Sequence, residues 1–129
     1  MMGQSNGGSV AINIAKADKE DSATAGRQFT AVVALYPWCD LLLGSQLNTP
    51  LLVLAGEEDD WTPPMNCKLA AQKTQDDTLS VITYPNAHHS YDLPIRVQRY
   101  AGHTVGGNGP ALNDSKKQVL LFFDKHKSH

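Results

Sequence analysis

Three short and nearly continuous apolar runs constrain the fold of this chain most strongly. They are Phe29–Leu35, within FTAVVALYP, Leu51–Ala55 and Leu79–Tyr84, and each is typical of a strand buried on both faces. Helices are predicted before and between them, from Ser5 to about Ala17 and from Pro63 to Thr74, since proline is tolerated in a first helical turn. The alternation predicts an α/β fold with a parallel sheet of roughly three to four strands flanked by helices.

The C-terminal segment predicts one more helix. In NDSKKQVLLFFDKHK (113–127) apolar side chains recur at helical spacing, and Asn113 or Asp114 is the predicted N-cap. The polar stretch DKEDSATAGRQ (18–28) and the segment between Tyr84 and Asn113 are predicted to be loops. The connection Trp38–Asn48 contains LLLG but little periodicity. This connection is therefore the weakest part of the predicted alternation of helices and strands.

Composition and charge exclude several classes of protein. The 129 residues carry a formal net charge of −2, and 41% of them are hydrophobic, which is ordinary for one globular domain. The lysines and arginines form no basic stripe, so nucleic-acid binding is not expected. The longest apolar runs have the length of strands, so no membrane span is expected. The glycines near Ser5 lack the Gly-Lys-Ser/Thr of a phosphate loop, and no cofactor is expected.

The two cysteines leave the compartment open. Cys39 and Cys67 follow adjacent predicted strands. A disulfide between them would favour an oxidising compartment such as a periplasm, whereas two buried free thiols would fit a cytosolic protein. No signal peptide is recognisable at the N-terminus. The sequence is thus compatible with a cytoplasmic and with a periplasmic or secreted location.

Residues that carry acyl chemistry follow the predicted strands. Ser5 comes after a short strand at Met1–Met2, GEEDDWTP follows Leu51–Ala55, and PNAHHSYD follows Leu79–Tyr84. The carboxyl ends of parallel strands meet at one edge of a sheet, where ligands bind. A serine becomes a good nucleophile when an imidazole accepts its proton and a carboxylate orients that imidazole. The pattern predicts a hydrolytic site at this edge.

Three motifs carry a resemblance to a known family. GQSNGG around Ser5 resembles the nucleophile elbow of the α/β-hydrolases, and the chain order Ser, Asp, His is that of the superfamily. PLLVLAGEEDDWTP resembles the acid strand, which implies that Asp59, rather than Asp60, is the acid. YPNAHHSYD resembles a turn of dienelactone hydrolase-like members, which implies His89 as the base and leaves His88 at a variable position.

The resemblance also implies an activity and a place in a larger fold. It implies a serine esterase that acts on ester or lactone carbonyls, with the backbone N–H of Asn6 as one oxyanion donor. Dienelactone hydrolases typically use cysteine, so Ser5 implies a serine-using relative. Family members carry several strands and a helix before the elbow, and a loop there supplies the second donor. Residues 1–129 are therefore expected to be the C-terminal portion of such a domain, a partial α/β-hydrolase fold whose N-terminal half is missing.

Glycine spacing and an incomplete sheet lead to two further expectations. Side chains at Gly3 and Gly7 are expected to collide with neighbouring strands, because the nucleophile sits in a strained turn. A sheet cut in its middle exposes a strand edge and apolar faces. We therefore expect self-association through the exposed sheet edge.

Each candidate residue has an alternative role that the sequence leaves open. Ser5 would suit a plain glycine-rich turn, Asp59 a helix-capping or solvated loop acid, and His89 a structural loop histidine. Trp61 and Tyr91 would line a substrate pocket or pack in the protein interior. Four potential metal ligands match no zinc signature, and no metal is expected: His88, His89, Asp92 and His103. The alternative function is a non-catalytic half-fold that binds and is completed by a partner chain.

Overall fold

The computed structural model describes residues 1–17, 29–74 and 76–127. The predicted loop 18–28 lies outside the described residues. The described elements follow one another as β1 (Met2–Gln4), α1 (Asn6–Lys16), β2 (Val32–Leu35), a 3-10 helix (Cys39–Leu42), β3 (Leu51–Gly56), α2 (Met65–Lys73), β4 (Leu79–Tyr84), β5 (Gln98–Tyr100), β6 (His103–Val105) and α3 (Gly109–Lys125).

The main sheet contains four parallel strands in the order β1-β2-β3-β4, which confirms the predicted α/β class. Gln4 pairs with Leu35, Leu35 with Leu54, and Leu54 with Ile82. This register brings the carboxyl ends of all four strands to one edge. The residues that follow each strand therefore share that edge, as open parallel sheets require of a ligand site.

Alternate residues of β2 and β3 pack on opposite faces of the sheet, as the period of two in a strand dictates. Val32 and Val53 belong to a core cluster that includes residues of α1, the 3-10 helix and α2. Val33 and Leu54 belong to a second cluster with residues of α3 and of the loop after β4. All of β2 and β3 is buried, which explains their continuous apolar sequences.

A disulfide joins the 3-10 helix to α2. Cys39 and Cys67 are bonded to each other, and the bond closes a separation of 28 residues. Of the two alternatives for these cysteines, the structure has the bridged one. The bond lies in the core cluster on the α1 and α2 face, where it links two connections that cross the sheet.

The two largest shifts from the predicted boundaries are the starts of β2 and α3, and each has a local cause. β2 begins at Val32 rather than Phe29, since its pairing with β3 starts at Val32 and Phe29 is exposed. α3 begins at Gly109, so Asn113 and Asp114 are not its N-cap. The cap is Asn108, whose side chain accepts a hydrogen bond from the Ala111 N–H at 3.0 Å.

A β-hairpin interrupts the predicted loop between Tyr84 and Asn113. β5 pairs antiparallel with β6, and the connecting residues Ala101 and Gly102 both have positive φ. Two positive φ values are the requirement of a tight hairpin turn. Val105 of β6 also forms a bridge to His89, so the hairpin is held beside the loop that follows β4.

β1 lies at one edge of the sheet and pairs only with β2 among the described strands. Beside it, a groove of about 400 Å³ is lined mainly by apolar side chains of Met2, Leu112, Val119 and Leu120. Self-association through this edge stays a prediction. Within the described ranges, none of the helices is long and apolar enough to cross a membrane.

Candidate active site

Ser5 occupies a strained turn between β1 and α1. Its φ of 52° and ψ of −115° lie in a region that residues other than glycine rarely adopt. Its N–H donates a 2.9 Å hydrogen bond to the carbonyl of Leu35, which ties the turn to the adjacent strand. The serine thus stands at the carboxyl edge of the sheet, directly before the first turn of α1.

Gly3 and Gly8 allow α1 to lie close to β1 and β2, whereas Gly7 has no such role. A Cβ on Gly3 would lie 2.1 Å from the Gly7 carbonyl oxygen, and a Cβ on Gly8 would lie 2.9 Å from the carbonyl oxygen of Leu35. A Cβ on Gly7 would meet nothing within 4 Å. A side chain at Gly3 would therefore collide as expected, but with the backbone of α1 and not with a neighbouring strand. The expectation for Gly7 is wrong, because this helix position faces open space.

A chain of hydrogen bonds joins Ser5, His89 and Asp59. The Ser5 Oγ is 3.0 Å from Nε2 of His89, and Nδ1 of His89 is 2.8 Å from Oδ2 of Asp59. Asp59 and His89 are both buried. An ionised carboxylate can only accept hydrogen bonds, so the proton of the neutral ring resides on Nδ1. Nε2 is then free to accept the hydrogen bond of the Ser5 hydroxyl.

The loop after β3 fixes both oxygens of Asp59. Oδ1 accepts hydrogen bonds from the backbone N–H groups of Trp61 at 2.9 Å and Thr62 at 2.8 Å. The Oγ1 of Thr62 is 3.0 Å from Oδ2. Gly56 brings this loop against the loop after β4, since a Cβ there would lie 2.2 Å from the carbonyl oxygen of Ala87. The two loops that carry the acid and the imidazole are therefore in direct contact.

Asp60 points away from this chain of hydrogen bonds. Its Oδ1 accepts a hydrogen bond from the Thr104 N–H at 3.2 Å, and its carboxylate lies within 3.6 Å of Arg99 and 3.5 Å of His103. All three partners belong to the β5–β6 hairpin. Asp60 therefore anchors the hairpin, while its neighbour Asp59 contacts the imidazole.

Two aromatic rings border the imidazole of His89. The ring centroids of Tyr36 and Trp61 lie 4.6 and 5.0 Å from that of His89. Tyr36 follows β2 with a positive φ of 36°, and its hydroxyl donates a 2.6 Å hydrogen bond to Asp92. Burial, followed by the hydrogen bond to Asp92, raises the pKa of Tyr36 far above its usual range. Tyr36 therefore stays neutral at any physiological pH.

An open cleft of about 490 Å³ lies beside Ser5 and His89. Trp61 lines it, as one of the two predicted roles for this residue requires. The described lining contains apolar, aromatic and uncharged polar side chains, together with the imidazole of His89. The other lining residues are Gln4, Tyr36, Ser90, Leu93, Ile95, Gln98, Tyr100 and Val105.

Tyr91 lies in the core instead of in the cleft. It is fully buried, its ring contacts those of Tyr36 and Tyr84, and its hydroxyl is 2.7 Å from the Oγ of Ser115. The structure thus agrees with the packing role of Tyr91. The other predicted positions are outside the hydrogen-bond chain: Asn6 is the first residue of α1, and His88 makes no Nδ1 hydrogen bond to the described residues.

Sequence reasoning missed three features of this edge. Thr62 contacts both Asp59 and His89, Tyr36 borders the imidazole, and the hairpin covers one side of Trp61. The sequence offered one weak signal for Thr62, its position three residues after the predicted acid and directly before Pro63. The other two contacts depend on how loops from different strands pack, for which no local pattern exists.

A parallel sheet with a serine on a strained strand-to-helix turn is the arrangement of the α/β-hydrolase class. The chain belongs to the dienelactone hydrolase family, which it matches over residues 1–127. A search of curated proteins gave no significant match.

Solved structures share the fold at low sequence identity. One is a protein from Klebsiella pneumoniae subsp. pneumoniae that is provisionally named a dienelactone hydrolase. It superposes on this chain with a TM-score of 0.70 at 21% identity, and the superposition covers 95% of this chain and 50% of that protein. P91, a dienelactone hydrolase-like promiscuous phosphotriesterase from metagenomic libraries, superposes with a TM-score of 0.69 at 18% identity. That superposition covers 97% of this chain and 51% of P91. Thermogutta terrifontis esterase 2, phosphoramylated by tabun, superposes with a TM-score of 0.65 at 16% identity, and the superposition covers 96% of this chain and 53% of the esterase. The chain spans about half the length of these proteins.

Proposed function

We propose that this chain is a serine hydrolase of carboxylic esters or lactones, with Ser5, His89 and Asp59 as its catalytic residues. The observation that supports the proposal most strongly is the continuous hydrogen-bond chain from Ser5 through His89 to Asp59. Its three members come from the ends of three different strands. Such a chain supplies an activated nucleophile together with an oriented general base.

The proposed reaction proceeds in two half-reactions. Nε2 of His89 takes the proton of the Ser5 hydroxyl as Oγ attacks the carbonyl carbon, and Asp59 stabilises the imidazolium through Nδ1–H. The tetrahedral intermediate collapses, His89 returns the proton to the departing alkoxide, and an acyl ester of Ser5 remains. Water then attacks this ester with His89 again as base. The carboxylic acid leaves, and the Ser5 hydroxyl is regenerated.

The backbone N–H of Asn6 is proposed as one oxyanion donor. Asn6 opens α1, and the first N–H groups of a helix have no partner within it. The family resemblance assigns the second donor to a loop before the elbow. Loss of one donor lowers the rate by about 10²- to 10³-fold, so full activity is proposed to require both donors.

The cleft lining supports an uncharged substrate. None of the described side chains that line the cleft is a carboxylate, a lysine or an arginine, and Trp61 and Tyr100 contribute aromatic surface. An apolar acyl or alcohol group would be desolvated there without an unpaired charge. Neutral butyryl esters are therefore proposed to react faster than succinyl esters of the same alcohol, whose acyl group carries a carboxylate.

Fluorophosphonate labelling tests the proposal directly, because such probes phosphonylate an activated serine. The esterase of Thermogutta terrifontis is described as phosphoramylated, which supports an organophosphorus probe. We expect labelling of the wild-type chain at Ser5, loss of labelling in Ser5→Ala, and unchanged labelling in Ser45→Ala, whose serine lies outside the cleft. A folded wild-type sample that is not labelled would favour the non-catalytic binding module.

A further inference from the structure

The hydroxyl of Thr62 is the meeting point of three polar groups. Its Oγ1 lies 2.9 Å from Nδ1 of His89, 3.0 Å from Oδ2 of Asp59 and 3.0 Å from the carbonyl oxygen of Tyr36. The side chain is almost completely buried, with an exposed fraction of 1%. Water therefore does not compete for these contacts. One hydroxyl thus links residues that follow β2, β3 and β4.

A count of protons defines what this hydroxyl can do. A threonine hydroxyl donates one hydrogen bond and accepts up to two. The Nδ1–H of His89 is a donor, so Oγ1 accepts from it. Asp59 Oδ2 and the Tyr36 carbonyl can only accept, so they share the single Thr62 proton. The Nδ1–H of His89 consequently has two acceptors, Asp59 and Thr62.

Thr62 also holds the other carboxylate oxygen of Asp59, through its backbone N–H. The Thr62 N–H donates to Oδ1 of Asp59 at 2.8 Å, while its hydroxyl contacts Oδ2. Contacts to both oxygens from one residue restrict rotation of the carboxylate. The contact with the Tyr36 carbonyl in turn fixes the hydroxyl against the end of β2.

We propose that Thr62 is a positioning residue of the active site, whose hydroxyl orients the imidazole of His89 by accepting from Nδ1–H while it holds the Asp59 carboxylate in place. The inference rests on the proposed serine hydrolase function. Thr62 does not touch the reacting atoms and acts through His89. A second acceptor for Nδ1–H keeps the proton on that nitrogen and the lone pair of Nε2 directed at Ser5.

Replacement by valine and by serine separates the hydroxyl from the rest of the side chain. Thr62→Val keeps the shape and removes the hydroxyl, so the second-order rate of fluorophosphonate labelling at Ser5 should fall roughly 10- to 100-fold, as for one hydrogen bond to a charged group. Thr62→Ser keeps the hydroxyl and should retain at least about a third of the wild-type rate. The matched control is Thr49→Val, at a buried threonine before β3, outside the cleft lining.

A double-mutant cycle tests whether Thr62 acts through the Asp59–His89 pair. In an Asp59→Asn background the pair is already disrupted, so Thr62→Val should change the labelling rate within about twofold. The proposal is overturned if the valine effect is the same in both backgrounds, or if Thr62→Ser loses as much as Thr62→Val. If Thr62→Val does not fold, as judged by circular dichroism, Thr62→Ala takes its place in the cycle.

The outcome also distinguishes this inference from the function on which it rests. Wild-type labelling with an unaffected Thr62→Val rate would overturn the positioning role and leave the hydrolase proposal standing. Absence of wild-type labelling would overturn the hydrolase proposal, and the positioning role with it. Labelling that falls in Thr62→Val, is retained in Thr62→Ser and is insensitive in the Asp59→Asn background would support both.

Discussion

The loop after β3 supports two polar clusters that differ in burial and in geometry. The inner cluster consists of Asp59, Thr62 and His89, and its hydrogen bonds measure 2.8 to 3.0 Å. The outer cluster consists of Asp60, Arg99 and His103, with nitrogen–oxygen distances of 3.5 to 3.6 Å. Trp61 lies between them, with its ring centroid 5.0 Å from that of His89 and 4.8 Å from that of His103.

The difference shows how adjacent carboxylates acquire different roles. The side chain of Asp59 is 0% exposed and that of Asp60 is 48% exposed. In the buried cluster water cannot replace a lost partner, so each removed group leaves another unsatisfied. In the exposed cluster water and salt compete, and such ion pairs are worth about 0 to 1 kcal/mol. The inner cluster is therefore suited to orienting an imidazole and the outer cluster to seating a hairpin.

The largest predicted difference is between the variants of His89 and His103. His89→Ala removes the proposed base, and fluorophosphonate labelling should fall by at least about 10³-fold. His103→Ala removes a ring from the outer cluster and should change the rate by less than about fivefold. His88→Ala is the neighbouring control and should behave like His103→Ala. Similar losses for the His89 and His103 variants would abolish the distinction between the clusters.

Replacing Asp59 should lower the activity far more than replacing its neighbour Asp60. Asp59→Asn replaces the anionic acceptor of the His89 Nδ1–H with a neutral amide. We therefore expect a loss of roughly 10³- to 10⁴-fold in kcat/KM for an ester substrate. Asp60→Asn keeps an oxygen for the Thr104 N–H and should cost less than about fivefold. Esterase assays of both variants, with matched thermal unfolding, check this. Equal losses or a reversed order would contradict the assignment of Asp59.

Sequence patterns predicted the positions of Ser5, Asp59 and His89 better than those of Thr62 and of the outer cluster. Ser5, Asp59 and His89 each follow a strand that is recognisable from its apolar residues, and parallel pairing brings strand ends together. The hairpin was missed because its strands are three residues long and its turn begins with alanine, which rarely adopts positive φ. Thr62 was missed because its contacts depend on how the loop after β3 packs against Tyr36 and His89. The start of α3 was readable from Asn108 and Pro110 but was placed too late.

Alkaline pH should lower the stability of the protein through its buried tyrosines. Burial raises the pKa of Tyr84 to about 12, and burial likewise raises the pKa values of Tyr36 and Tyr91. Unfolded tyrosines ionise near pH 10, so above that pH the unfolded state loses protons before the folded state does. The contribution of these tyrosines to the free energy of unfolding should thus be constant below about pH 10 and fall as the pH rises towards about 12.

Two phenylalanine variants test which tyrosine causes this loss of stability. Tyr84→Phe removes one raised group and should flatten the decline between about pH 10 and 12. Tyr100→Phe, at a ring that is exposed beside Trp61, should leave the decline unchanged. Urea unfolding at a series of pH values measures both. A decline that Tyr100→Phe flattens and Tyr84→Phe does not would contradict the burial argument.

The smallest predicted effect is that of salt, and it bears on the outer cluster alone. At about 1 M NaCl the screening length is roughly 3 Å, shorter than the separations of Asp60 from Arg99 and His103. Those exposed pairs should weaken, but the hairpin keeps its bridge between Val105 and His89. The labelling rate should therefore change by less than about twofold, and that change should disappear in Asp60→Asn. A salt effect of equal size in Asp60→Asn would place the sensitive charges elsewhere, and a tenfold effect would mean that the outer cluster controls the imidazole.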